Sequence, residues 1–281
     1  LRIENLELKI MITVKPLKRC GVLLLTATVA MMFIMSACSR VAEGDRLIYV
    51  PPASAERNVL IEDFTGQRCV NCPAATKKIE ELHSQYGDRI IPVAIHSGPF
   101  AHRSTMTSPL LSLGTATGDE FYRNRGVEAQ PGVAVNRHGG IIYNTNLYAT
   151  AVAECIAQET PLSLSATCQY DEGSRKLTVN ISANAPERVS GKLEVWLVED
   201  NITDTQLMAD GSANQQYVHN HVFRRTLTAD IYGDPVTIDA GKTATAAYTT
   251  TVDDAWKSEN LAVVVFVSNP SGIVQVIKTT L

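Results

Sequence analysis

The 281-residue chain has no block of basic residues, and its formal net charge is only −4. A nucleic-acid partner would need a concentrated positive footprint, so that class is excluded. There is no internal repeat and no low-complexity tract, which argues against repeat arrays and long disordered regions. The apolar run "GVLLLTATVAMMFIM" falls short of the roughly 20 residues of a bilayer-spanning helix. Cysteine is sparse, at six residues. No second Cys-x-x-Cys accompanies Cys69-Val-Asn-Cys72, so a four-ligand zinc ribbon is not indicated and no metal is expected. Pro73 stands where a c-type haem attachment needs histidine, which removes that cofactor as well.

What is present begins with an address. Residues 1–10 match no targeting pattern and read as an upstream extension, with Met11 as the start. From Met11 a basic stretch (Lys15, Lys18, Arg19) leads into the apolar run and then the small residues Ser36-Ala37, the layout of a secretory signal over 11–37. Cys38 follows, and "MSAC" resembles a bacterial lipoprotein box. That resemblance implies lipidation of Cys38 and attachment to a membrane through several acyl chains. Residues 38–56, with "SRVAEGDRLIYVPPASAE", read as a polar tether. With Cys20 lost and Cys38 lipidated, four cysteines remain in an oxidising compartment, the even count of a disulfide protein. Cys155 and Cys168 are then expected to form a structural disulfide across the domain junction.

Two rhythms follow. Over 57–160, strand and helix patterns alternate: "NVLIEDF", then "PAATKKIEELHSQY" opening on Pro73 and closing before Gly87, then "RIIPVAIHSG". An insertion-like stretch over 97–125, a strand–Gly-Gly–strand segment "PGVAVNRHGGIIY" and a closing helix "NLYATAVAECIAQE" complete an α/β layer pattern. Over 161–281, about seven short alternating segments separated by turn signals predict an all-β, immunoglobulin-like sandwich, with Trp196 in its core.

The first half resembles a thioredoxin-like domain. "VLIEDFTGQRCVNCP" is similar to that family's strand, turn and Cys-x-x-Cys at a helix start. Asp63-Phe64 precedes the pair as an acid and an aromatic do in the family, and "RGVEAQPGVAVNRHGG" is similar to its cis-proline segment. The resemblance implies Cys69 as nucleophile, Cys72 as resolving thiol and Asp63 as proton carrier. It also implies a cis Pro131 at the substrate-docking element, with Gln130 before it. Such chemistry needs no cofactor, only a redox partner or cysteine-containing envelope proteins. A helix N-terminus favours a thiolate over a thiol. Arg68 and the Val-Asn pair depart from the common thioredoxin pattern. The competing reading of Cys69 and Cys72 is a permanent staple in a binding or adhesion lipoprotein.

The chain as a whole also resembles the twenty-eight-kilodalton outer-membrane protein family of Bacteroidetes lipoproteins. The segments that carry this are "FTGQRCVNCP", "YVHNHVFR" and "AVVVFVSNPSGIVQVI". It implies an outer-membrane lipoprotein, facing either the periplasm or the surface. Among the histidines, His83 reads as a solvated helix residue. His96 ends a strand and reads as a surface histidine, the alternative being a place near the dithiol, which it would tune, at the sheet edge that carries sites in open α/β folds. His219 and His221, two apart, read as sharing one strand face.

Overall fold

The computed structural model describes residues 56–101 and 113–281; the expected signal peptide, Cys38 and the tether up to residue 55 lie outside the described residues. The chain runs through β1 (Val59–Thr65), α1 (Cys72–Tyr86), β2 (Ile90–His96), α2 (Ala116–Asn124), β3 (Gly132–Val135) and α3 (Tyr148–Ile156). Strands β4 (Ser163–Asp171), β5 (Lys176–Asn184), β6 (Val189–Glu199), β7 (Ile202–Leu207) and β8 (Ala213–His219) come next. The chain closes with β9 (Val222–Thr226), β10 (Asp234–Ile238), β11 (Thr243–Thr251), β12 (Leu261–Asn269) and β13 (Gly272–Thr280). The protein is mostly β, with a mixed sheet and few helices. Among the described residues, no helix is long and apolar enough to cross a membrane.

β1 is buried along its whole length, as its apolar residues Val59, Leu60, Ile61 and Phe64 predict for a strand covered on both faces, with Glu62 and Asp63 buried among them. It pairs parallel with β2 and antiparallel with β3. α1 buries Cys72, Ala75, Ile79 and Leu82, one stripe at helical spacing. α1 and α3 cover one side of this sheet, in a cluster with Val59, Ile61, Val133, Tyr148 and Val152.

The change of rhythm at Pro161 does not mark a change of sheet. One large sheet has the order β13-β12-β6-β9-β2-β1-β3, with β10 also on β6, so strands from both halves belong to it. β9 meets β2 at the Ala94–Val222 pair, and the Ala94 amide donates to the His221 carbonyl at 2.8 Å. The expected domains 57–160 and 161–281 therefore form one compact unit. The seam is a shared core. Phe121 of α2 stacks on Trp196 of β6 at 5.0 Å, and Phe223 and Phe266 meet the indole edge-on. Trp196 thus faces the α/β half rather than the interior of the sandwich.

The sandwich interior lies on the other face of the same strands. Val195 and Leu197 of β6 and Val263 and Val265 of β12 pack against Leu177, Val179 and Ile181 of the three-stranded sheet β11-β5-β4. β6 and β12 are thus covered on both sides, which is why β12 is apolar from Leu261 to Val267 and β6 carries the run Val195–Val198. The strand–turn–strand expected over 131–143 shrinks to β3 and a single bridge, Val133 to Ile142. Asn136 and Arg137 take left-handed conformations (φ 48° and 52°), which end the strand and turn the Arg137 side chain into the seam.

Candidate functional site

The cysteine pair sits in the loop from β1 into α1. Gly66 lets this loop pass under residues 98–101, since a Cβ there would lie 2.6 Å from the Phe100 carbonyl. The Arg68 amide donates to that carbonyl at 3.0 Å, and the Cys69 amide donates to the Gly66 carbonyl at 3.0 Å. Cys72 is the first residue of α1, and Pro73 follows in the first turn, where a missing N–H costs nothing. Cys69 and Cys72 are joined as a disulfide. Val70 and Asn71 between them are exposed, while the cysteines are 3 % and 1 % exposed.

The cover over the pair comes from the far half of the chain. β7 and β8 form a separate two-stranded hairpin. The Leu207 amide donates to the Gln67 carbonyl at 2.8 Å, and the Gln67 side-chain amide donates to the Thr205 carbonyl at 3.0 Å. Gln206, buried, donates from Nε2 to the Cys69 carbonyl at 3.0 Å and to the Gly66 carbonyl at 3.4 Å. Beneath the hairpin, a cavity of about 20 Å³ is lined by Cys72, Thr76, His96, Gln206, Tyr217 and His219, among others.

His96 is therefore not a surface histidine. It is 3 % exposed, and its ring meets that of His219 nearly at right angles, centroids 5.2 Å apart. Among the described residues, neither ring nitrogen of His96, nor Nε2 of His219, has a hydrogen-bond partner. Burial pushes the His96 pKa well below its ordinary value and that of His219 down to about 4, so both rings are neutral at physiological pH.

His219 and His221 do not share a face. β8 ends at His219 and the chain reverses, with His221 at φ 57°, so the two-residue alternation of a continuous strand does not apply. His221 instead pairs with Asp200 at 2.9 Å, and Lys278 reaches the other oxygen of that carboxylate at 3.1 Å. His83 is also not a fully solvated helix residue. It is partly buried, its Nδ1 lies 2.9 Å from the Ile90 carbonyl, and with Asn58, Ile91 and Lys278 it lines a cleft of about 550 Å³.

Asp63 is 3 % exposed on β1, bonded to Thr76, one turn along α1 from Cys72. Burial raises its pKa from 3.8 to about 7, against the lowering effect of the Thr76 hydroxyl. The Gln130–Pro131 peptide bond is cis. Gln130, expected as a substrate contact, is instead a strap: its Nε2 donates to the Thr65 carbonyl at 2.7 Å and the Ser97 carbonyl at 3.0 Å. It ties the ends of β1 and β2 together.

The expected Cys155–Cys168 disulfide is not formed, and both thiols are free. Cys155 lies on the face of α3 that packs on β1 and β3, whereas Cys168 of β4 packs on the sandwich interior, so the two belong to different cores. Burial raises the pKa of both, that of Cys168 to about 11. Unfolding without reductant in the presence of an alkylating agent should label Cys155 and Cys168 and leave Cys69–Cys72 linked. A 155–168 cross-linked peptide in the mass map would refute this. Among the described residues, no group of three or more His, Cys, Asp or Glu is placed to hold a metal ion.

Sequence patterns carried no warning of Gln67, Gln206 or Arg137. Glutamine in a loop or strand has no periodic signal, and Arg137 sits in a segment that reads as a turn.

The model of the family described as outer membrane protein Omp28 matches residues 118–281, more than half of the chain. That match begins after the cysteine pair. Among solved structures, HBP35 of Porphyromonas gingivalis is similar with a TM-score of 0.62 at 17% identity, covering 80% of this chain and 76% of that one. Protein AGR_C_4864 from Agrobacterium tumefaciens gives 0.50 at 17% identity, covering 81% of this chain and 96% of that one. At such identities the likeness concerns the fold alone. A domain of the outer membrane lipoprotein Omp28 from P. gingivalis, 19% identical, covers 43% of this chain and 88% of that one at a TM-score of 0.31, too low to compare folds. None of the curated proteins matches the chain.

Proposed function

The chain belongs to the Omp28 family of outer membrane proteins, and on that basis we propose that it is a binding lipoprotein of the cell envelope. Lipid on Cys38 holds it to the membrane, and Cys69–Cys72 is a structural cross-link. The observation that carries this reading is the burial of both cysteines under the β7–β8 hairpin. An exchange-active thiol has to be reachable by its partner, and its reactivity depends on that access. Here the partner's approach is filled by residues of the chain itself. Membership of an outer-membrane family supports the lipid anchor.

One observation favours a second reading, a thioredoxin-like site for thiol–disulfide exchange. Asp63, with a pKa raised to about 7 and bonded to Thr76, which lies one helical turn from Cys72, can hold or release a proton near neutrality, as resolution of a mixed disulfide requires. In that reading cysteine-containing envelope proteins, or a redox partner, would be the clients.

A redox titration separates the two. Thiols are trapped by alkylation across glutathione and dithiothreitol buffers and located by peptide mass. The cross-link reading expects Cys69–Cys72 to stay oxidised down to about −300 mV or below. Titration between about −270 and −120 mV would instead support exchange.

A further inference from the structure

The hairpin over the disulfide is built differently from its surroundings. Among the described residues, β7 and β8 pair only with each other, while every other strand belongs to one of two larger sheets. Where the hairpin meets the 66–69 loop, its hold is a small set of amide contacts. They run from Leu207 to Gln67, from Gln67 to Thr205, and from Gln206 to Cys69 and Gly66. Deeper in, the contact surface is poorly satisfied. Both nitrogens of His96, Nε2 of His219 and one oxygen of Asp204 are buried without partners among the described residues, groups that water would serve if the hairpin left. The outer strand is half-open already: Ala213 to Gln216 and Val218 are exposed.

We infer that the β7–β8 hairpin is a detachable cover whose seating on the 66–69 loop governs access to the Cys69–Cys72 disulfide. Its release turns a buried cross-link into a reducible one. The inference rests on the reading of the pair as buried and closed in the resting protein, and it adds the element that keeps it so. The chemistry it gates is reduction by a dithiol. One reductant thiolate attacks a protein sulfur and the Cys69–Cys72 bond breaks. The second reductant thiolate closes its own disulfide, and the two protons released by the reductant end on Cys69 and Cys72.

The test is the initial rate of Cys69–Cys72 reduction by excess dithiothreitol in the full chain, quenched by alkylation and read by mass. Gln206→Ala removes the amide that bonds Cys69 and Gly66. Leu207→Pro removes the N–H that bonds Gln67. Each variant is expected to raise the rate at least tenfold while its near-ultraviolet circular dichroism stays native. Native-like variants with rates within twofold of the parent overturn the cover. Fast reduction of the parent itself overturns the cross-link reading; the cover survives that result only if the variants are faster still. Should both variants unfold, the parent protein decides by hydrogen exchange. The Leu207 amide is expected to exchange well ahead of the Leu60 amide, which is bonded to Asn136 inside the sheet. Equal protection of the two would overturn the inference.

Discussion

Replacing Arg137 by methionine is expected to cost the folded protein about 3–5 kcal/mol, the usual penalty for breaking a buried ion pair from one side. Arg137 lies in the seam between the two halves. It bonds Glu62 of β1 at 3.0 Å and Glu194 of β6 at 2.9 Å, with both carboxylates 1 % exposed. Its guanidinium also lies 4.9 Å from the Phe266 ring and 5.6 Å from the Trp196 ring. Burial alone would lower its pKa, but Glu62 and Glu194 more than reverse that and hold it charged.

The methionine variant would leave two carboxylates in the core, relieved in part by Arg125 at 3.9 Å from Glu62 and by the Ser268 hydroxyl on Glu194. Urea unfolding followed by tryptophan fluorescence measures the loss, because Trp196 sits beside the guanidinium. The triple variant Glu62→Gln, Arg137→Met, Glu194→Gln should recover most of it, since a neutral replacement removes the desolvation penalty along with the attraction. A single variant within 1 kcal/mol of the parent would show that the seam does not depend on this cluster.

Asp63→Asn should act in the opposite direction, and only above a certain pH. The folded-state pKa of Asp63 is raised from 3.8 to about 7. The native protein therefore holds this proton where the unfolded chain has lost it. Below about pH 4 the carboxyl is protonated in both states and costs nothing extra. Between about pH 4 and 7 stability falls as the pH rises, and above 7 the full cost is present. At about 1.4 kcal/mol per pKa unit, that cost is on the order of 4 kcal/mol. Asparagine stays neutral, so the variant should match the parent near pH 4 and exceed it by roughly 2–4 kcal/mol at pH 8.

The buried histidines work against this slope in each protein taken singly. Their folded pKa values are lowered, so they remove stability as the pH falls below 6.5. They are common to parent and variant, and the difference between urea curves at pH 4, 6 and 8 isolates Asp63. A difference that does not change with pH would mean that Asp63 is ionised in the native protein near its ordinary pKa.

Much of the local structure was legible because it follows from short-range patterns. The largely apolar run of β1, the Ala75–Ile79–Leu82 stripe of α1 and the proline at its start need no partner to be recognised. Strand number in the second half was less legible: ten strands stand where about seven were expected. β7 (Ile202–Leu207) and β10 (Asp234–Ile238) are short and polar, and β8 and β9 are cut from one apparent strand by the turn at His221. The disulfide partner of Cys72 was legible from spacing. Cys155 and Cys168 were paired by counting, and counting carries no information about which core a side chain faces.

Sequence alone was therefore enough for β1, α1, β2 and α3, the placing of the cysteine pair at a helix start and the membership of the chain in an outer-membrane family. That the halves share one sheet, and that a hairpin from residues 202–219 closes over residues 66–72, emerged only in the folded molecule. The physical reason is the range of the interactions. Helix stripes and strand alternation are set within a few residues. The Gln206–Cys69, His96–His219 and Arg137–Glu194 contacts join positions far apart in the chain. Hydrogen bonds and buried charges of that kind leave no periodic trace in either partner's neighbourhood. The continuous apolar runs Val195–Val198 of β6 and Leu261–Val267 of β12 hinted at the shared sheet, since such runs must be covered on both faces, but only folding shows what the second cover is.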